Sequence, residues 1–391
     1  MSFDKSTWSR ITLNDVVSKK EENNKANAKD NYDRFLKVEH LDAESLEIKR
    51  WASQSGGDEL PPTFYKIFRK GQVLFPTRNP HLRRTALASF DGICGEKTLT
   101  LEPNKSVVHP DFIPFLFHSD SFYAHTTSSI VGSTNPHVRW RDVAKYEFSL
   151  PEISEQLEIV KLLTDMEQTL KLKKTVLEKL KTSFKVEIEN SINRASKEFF
   201  KMSEVVKTRK GVTYKSSDYS DKENGTALLN LKSIEVGGGF NKDGIKYFLG
   251  KCQEKHYVRN EDLIIACTDI TRGGNVVGYP LDPKVYQDKK MLFTMDLMAI
   301  EITDNSLLRD FLFYALKASW VHWFLFAYSP GTTVLHLDTA GFNRLKIPKL
   351  EIEEQKRIIT NLKKYENSIE LMEKEIDNFH ILQKTIINKV F

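Results

Sequence analysis

Four side chains able to bind anions or base edges crowd into TRNPHLRR, from Thr77 to Arg84: Arg78, His81, Arg83 and Arg84. Arginine on an exposed loop pairs with phosphate, or bidentately with guanine in a major groove. Arg139 and Arg141 flank Trp140 just after Gly132-Ser133-Thr134-x-x-His137, making a second basic patch with Thr134. TDITRGGN supplies Thr268, Thr271, Arg272 and Asn275 on a glycine-rich loop that lets backbone approach a ligand closely. Gly331-Thr332-Thr333-x-x-His336 repeats the earlier glycine element, so Thr333 and His336 join the candidates and His137 is the counterpart of His336. Lys37, Glu39, Asn230 and Lys232 are weaker candidates on strand-like edges. From Leu60 to Leu150 there are eleven Lys/Arg against seven Asp/Glu, so the first group lies in a locally basic region.

No catalytic constellation accompanies these residues. The sequence has no dinucleotide fingerprint, phosphate loop or nucleophile elbow. Asn79-Pro80 and Asn135-Pro136 each continue with His and read as turns. The histidines lack the i, i+4 spacing of a helical metal site, and Cys94, Cys252 and Cys267 lack metal-ligand spacing. No catalytic residue, metal or cofactor is therefore expected in this chain.

The elements that position the candidates form a repeat. Glu155-Gln156 and Glu354-Gln355 stand 199 positions apart, as do Ile159 and Ile358 and Leu163 and Leu362. Ile358, Leu362, Tyr365, Ile369, Met372, Ile376, Phe379, Gln383, Ile386 and Val390 follow the four-three spacing of a coiled-coil seam. The earlier copy follows it through Ile159, Leu163, Met166, Leu170, Leu177, Leu180 and Phe184, interrupted at Lys173. Before each helix, TLNDVV answers KMSEVV, Val73-Leu74-Phe75 answers Leu263-Ile264-Ile265, and DFIPFLF answers DFLFYAL. The second copy gains about nine residues, which fall around Thr271 to Lys290.

This spacing predicts a mixed α/β chain. Two globular domains, 1–150 and 199–350, alternate with long helices over 151–198 and 351–391. FLKVEHL, QVLFPTR, KTLTLEP, ALLNLKSIEV, DLIIAC and LMAIEIT are the expected strands. DFIPFLFHSDSFYAHT and LLRDFLFYALKASWVHWFLF are expected as one helix each, and the charged run from Lys19 to Asn31 as a mobile surface loop. Domain, helix, domain, helix implies an antiparallel helix pair and an approximate two-fold design. Each helix is about 60 Å long at about 1.5 Å per residue. Phe391 should then lie near the first domain.

With 58 basic and 53 acidic residues, the net charge of +5 permits a nucleic-acid partner without demanding one. No apolar stretch is long enough to span a membrane and the N-terminus lacks the apolar core of a secretion signal, so a cytoplasmic protein is expected. Two similar domains on a rigid frame suit double-stranded DNA, and their different loops imply a bipartite, non-palindromic target.

The duplicated Glu-Gln helix entrance, the Gly-(Ser/Thr)-Thr-x-x-His element and the cyclic repeat together resemble the DNA-specificity subunit of Type I restriction-modification enzymes, over essentially the whole chain. That resemblance implies two target recognition domains, with helices that set the spacer and dock two methyltransferase subunits. It places Glu155, Gln156, Glu354 and Gln355 at the partner contact. It also implies a restriction subunit, and it assigns S-adenosylmethionine and ATP to the partners. The first copy reads PEISEQ, whereas the second reads KLEIEEQ with its proline displaced to Pro348. A coiled-coil scaffold whose end domains bind proteins is the alternative.

Overall fold

A computed structural model describes residues 3–192, 197–286 and 290–391. Its contacts divide the chain into two units, Met1–Thr175 with Lys374–Phe391, and Val176–Glu373. Each unit therefore holds one globular part and a portion of both long helices, which run Ile153–Ile192 and Ile352–Val390.

Two sheets are built twice with the same strand order. In the first unit, Ser9–Thr12 pairs antiparallel with Glu147–Leu150, the strand just before the first long helix. In the second, Phe199–Lys201 pairs with Lys346–Pro348 just before the second. A four-stranded sheet follows in each, ordered Val17–Lys19, Thr98–Pro103, Val73–Pro76, Ala86–Leu87 and then Val206–Lys210, Leu297–Ile302, Leu263–Ala266, Pro280–Leu281. The other large sheet has five strands in the first unit and four in the second.

Burial on both faces explains the continuous apolar runs of the central strands. Val73 and Phe75 point into the cluster built with the helices, whereas Leu74 joins a separate cluster with Phe68 and Ala86. Leu263 and Ile265 divide from Ile264 and Ala266 in the same period-two manner. Twelve positions separate Leu74 from its partner Ala86 and seventeen separate Ile264 from Leu281, so five of the nine extra residues lie in the loop between those strands.

Two sequence expectations change in detail. Each globular helix is broken in two: Ile113–Leu116 then Asp120–Ser128, and Arg309–Lys317 then Ser319–Ala327. Pro114 sits in the opening turn, where no backbone N–H is needed, and the Ser119 hydroxyl caps the next helix by accepting from Phe122 N–H at 3.3 Å. Lys19 to Asn31 is ordered structure. Glu22–Asn23 pairs with Phe64–Phe68, Ala28–Asn31 is a helical turn, and Glu21 meets the buried Lys66 ammonium at 2.7 Å. Of the charges that suggested a solvated loop, Glu21 is matched to that lysine and Glu22, on the edge strand, to Arg69 at 2.6 Å.

The helix seam is buried or half-buried at each expected position of the second copy. In the first unit the interrupting Lys173 reaches Glu375 at 2.6 Å. In the second, Phe184 stacks on Tyr365 with centroids 6.0 Å apart, and Asn361 donates to Glu187 at 2.9 Å. Rising numbers on one helix meet falling numbers on the other, so the helices run antiparallel.

The helix ends lock into the globular parts. Ile192 is buried in the second unit's core with Phe200 and Phe311. As expected, Phe391 lies in the first unit, its ring 4.8 Å from Phe112. The side chains of Asn388 and Glu189 accept the first backbone N–H of the helices at Asp120 (2.8 Å) and Ser319 (2.5 Å), donors that a helix leaves unsatisfied.

Candidate nucleic-acid interface

Both units place the loop leaving the central strand against the Gly-(Ser/Thr)-Thr-x-x-His loop. In the first unit Arg78 forms an antiparallel bridge with His137, flanked by Val138 N–H to Thr77 O at 3.0 Å and Asn79 N–H to Pro136 O at 3.2 Å. In the second, Thr268 pairs with His336 and Asp269 with Leu335. Gly331 has φ of +148°, and an added Cβ would lie 1.9 Å from the Val334 carbonyl, so only glycine fits the turn. A third segment joins each junction. Thr77 donates its N–H and hydroxyl to the Lys97 carbonyl at 2.8 and 2.9 Å, while Cys267 N–H donates to the Asp296 carbonyl at 2.8 Å.

The first loop is held by backbone geometry. Asn79 and Arg83 adopt left-handed φ of +50° and +51° on either side of the turn Pro80–Leu82. Arg78, His81, Thr134, Arg139 and Arg141 are exposed. Arg78 and Arg139 have no ionic partner among the described residues, and Arg141 has only Asp142 at 3.8 Å. Arg84 donates to Val38 O at 3.2 Å. Arg83 differs: it reaches Glu44 at 2.7 Å and Asp120 at 2.5 Å and lies over the Tyr123 ring. Lys97, which sequence reasoning counted only as part of a basic region, is exposed on the adjoining turn.

The second loop is organised by one carboxylate that sequence reasoning missed. Asp269 is fully buried and accepts from Thr271 N–H (2.7 Å), Thr271 hydroxyl (2.6 Å), Val276 N–H (2.6 Å) and Val277 N–H (3.1 Å). Burial would raise its pKa, but these hydrogen bonds outweigh burial and hold the carboxyl below the usual carboxylate range. Thr271 is thus spent within the loop, also accepting from Asn275 N–H at 3.1 Å. Thr268 is buried against His336, with its hydroxyl 3.4 Å from Nδ1. Arg272, Asn275, Thr333 and His336 remain exposed.

Among the described residues, Arg78 and Arg139 in the first unit and Arg272 in the second have no ionic partner, and they stand beside exposed side chains that can both donate and accept hydrogen bonds. Among the described residues no cluster of His, Cys, Asp or Glu could hold a metal ion, and no helix is long and apolar enough to cross a membrane.

Residues 5–182 and 195–378 each match the family model of the Type I restriction modification DNA specificity domain. The chain belongs to that family. The specificity chain is 26% identical over 328 residues to the Type I restriction enzyme MjaVIII specificity subunit of Methanocaldococcus jannaschii, an alignment covering 76% of this chain and 73% of the relative. Its fold is shared with a solved chain from work on complex assembly and conformational transition of the type I R-M system (TM-score 0.66, 19% identity, 98% of this chain and 97% of that one). It is also shared with the Type I restriction-modification S subunit from M. genitalium (TM-score 0.52, 13% identity, 100% and 98% covered).

The helix entrances of the specificity chain carry a correction. Gln156 and Gln355 are 1% and 0% exposed. Gln156 accepts from His109 N–H at 2.8 Å and donates to Pro151 O, while Gln355 accepts from Leu308 N–H at 2.9 Å and donates to Ser306 and Leu350 O. These amides fix how each helix leaves its unit, so neither glutamine presents a partner surface. Glu155 accepts from Trp8 Nε1 at 2.9 Å and Glu354 from Arg357 at 2.7 Å, which leaves both carboxylates near the surface.

Proposed function

We propose that this specificity chain reads a bipartite DNA target, one half through each loop junction, in complex with two methyltransferase subunits and a restriction subunit. The carrying observation is that one backbone junction occurs twice with different side chains, Arg78 beside His137 and Thr268 beside His336. A shared frame with unlike side chains suits two unlike half-sites on one duplex. Arg78, Lys97, Arg139, Arg141 and Arg272 serve phosphates or guanine, and His81, Arg84, Thr134, Asn275, Thr333 and His336 lie nearest the base edges. Arg83, Thr268 and Thr271 hold the loops in shape.

In this reading the long helices set the spacer. They dock the methyltransferases through apolar side chains that folding leaves bare, such as Leu157, Val186 and Leu371, at 46%, 52% and 61% exposure, and through Glu155 and Glu354 at the helix entrances. Adenine methylation and ATP-dependent cleavage reside in the partners, and the complex works in the cytoplasm on cellular DNA. Single-molecule sequencing of modified adenines in cells with and without the gene tests this. One bipartite motif should lose its methylation on deletion, and an unchanged set of modified sites would overturn the reading.

A further inference from the structure

The second unit's loop carries one side chain that neither its fold nor phosphate binding accounts for. Ile270 is 72% exposed, between Asp269, which is fully buried, and Thr271, which is turned inward. The hydrogen bonds from Thr271, Val276 and Val277 to Asp269 turn the residues on either side of Ile270 inward, and Ile270 stands out from the loop they shape. Its neighbours at the junction, Arg272, Asn275, Thr333 and His336, are polar and exposed. A rigid apolar point within a polar, partly cationic surface matches one feature of a DNA groove. The thymine 5-methyl is the apolar group displayed on a base edge in the major groove.

We infer that Ile270 is a specificity-determining residue that packs on a thymine methyl in the half-site read by the second unit. This rests on the DNA-reading function proposed above. Met295, on the turn joined to Cys267, is another exposed large apolar side chain at the junction, at 49%. It lies outside the loop that Asp269 organises and serves as the control.

The test uses the full chain assembled with its methyltransferase, on duplexes carrying the motif found by sequencing modified adenines. Each thymine of the motif is replaced in turn by uracil, which removes the methyl and leaves every hydrogen-bonding edge intact. Wild type should bind about three- to tenfold more weakly at one position, the worth of one buried methyl. Ile270→Ala should abolish the difference at that position with an unchanged melting temperature, and Met295→Ala should keep it. A motif without thymine, no uracil-sensitive position, or a sensitivity that survives Ile270→Ala overturns the inference while leaving DNA reading intact. Equal binding to the motif and to scrambled duplexes would instead overturn DNA reading itself.

Discussion

Arg83 and Asp120 meet at 2.5 Å, and Asp120 also accepts from Asn388 Nδ2 at 2.7 Å, near the end of the second long helix. Glu44 joins them, 2.7 Å from Arg83 and 2.9 Å from Lys384. Two cations and two carboxylates therefore balance at the foot of the first loop. Arg83 stands five residues from Arg78 in sequence but has a different environment, because its partners come from distant parts of the chain.

That contrast separates two substitutions. Arg78→Ala should lower the salt dependence of DNA binding by about one unit of slope, as loss of a single phosphate contact does. Arg83→Ala should leave the slope unchanged and cost roughly 1–2 kcal/mol of stability by leaving Glu44 and Asp120 undermatched. A salt series on the assembled enzyme and a thermal melt of each variant check both.

In the second unit Asp269→Ala would strand the buried N–H groups of Val276 and Val277, at a local cost of about 2 kcal/mol. Sequence preference should relax in one half of the methylated motif and persist in the other. Sequencing of modified adenines reads this directly. Equal relaxation in both halves would show that Asp269 acts on the whole chain.

Repetition made much of this architecture legible. Val73-Leu74-Phe75 and Leu263-Ile264-Ile265 declared a repeated strand, and the four-three spacing from Ile358 to Val390 declared a seam that is buried or half-buried at every expected position. Side-chain roles were harder to read, since polar residues look alike in sequence whether they face water or a backbone amide. Gln156 and Gln355 read as surface residues until the amides of His109 and Leu308 were placed 47 positions upstream. Asp269 was invisible for the same reason, because its partners gather only when the loop closes. Arg83 drew attention by its charge, and only the fold brings Glu44 and Asp120 to it.

Acid should weaken the first unit through His118. Its ring is buried with Nε2 3.2 Å from the Thr85 carbonyl, and burial pushes its pKa from 6.5 down to about 4. Above pH 6.5 both folded and unfolded forms are neutral. As pH falls from 6.5 toward 4 the unfolded chain takes up the proton first, so stability is lost across that window, by on the order of 2–3 kcal/mol. His118→Gln keeps a donor for Thr85 and removes the titration. Its denaturant midpoint should depend less on pH between 4 and 7 than that of wild type.

The helix register gives the spacer prediction its design. Lys173 opposes Glu375, so deleting 167–173 together with 375–381 removes facing heptads and keeps the flanking seams in step. Each helix shortens by roughly 10 Å at about 1.5 Å per residue. Both half-sites should survive in the methylated motif with a contracted spacer, and a spacer of unchanged length would show that the helices do not set it.

Modularity is the strongest consequence of the duplicated build. The strand Ser9–Thr12 closes on Glu147–Leu150, so residues 3–149 begin and end beside each other, ahead of the first long helix. Replacing that segment with its equivalent from a related subunit should preserve the frame if the replacement keeps the seats used by the second helix. These are the Phe112 and Phe148 rings against Phe391, and the N–H of residue 120 offered to Asn388. Binding free energies of independent reading surfaces add. The chimera should therefore methylate a hybrid motif, with the donor sequence in one half, the parental sequence in the other, and the spacer unchanged. A scaffold that binds only proteins predicts no change of sequence. A chimera that folds, assembles with its methyltransferase and still modifies the parental motif in both halves would remove the first unit from the reading machinery.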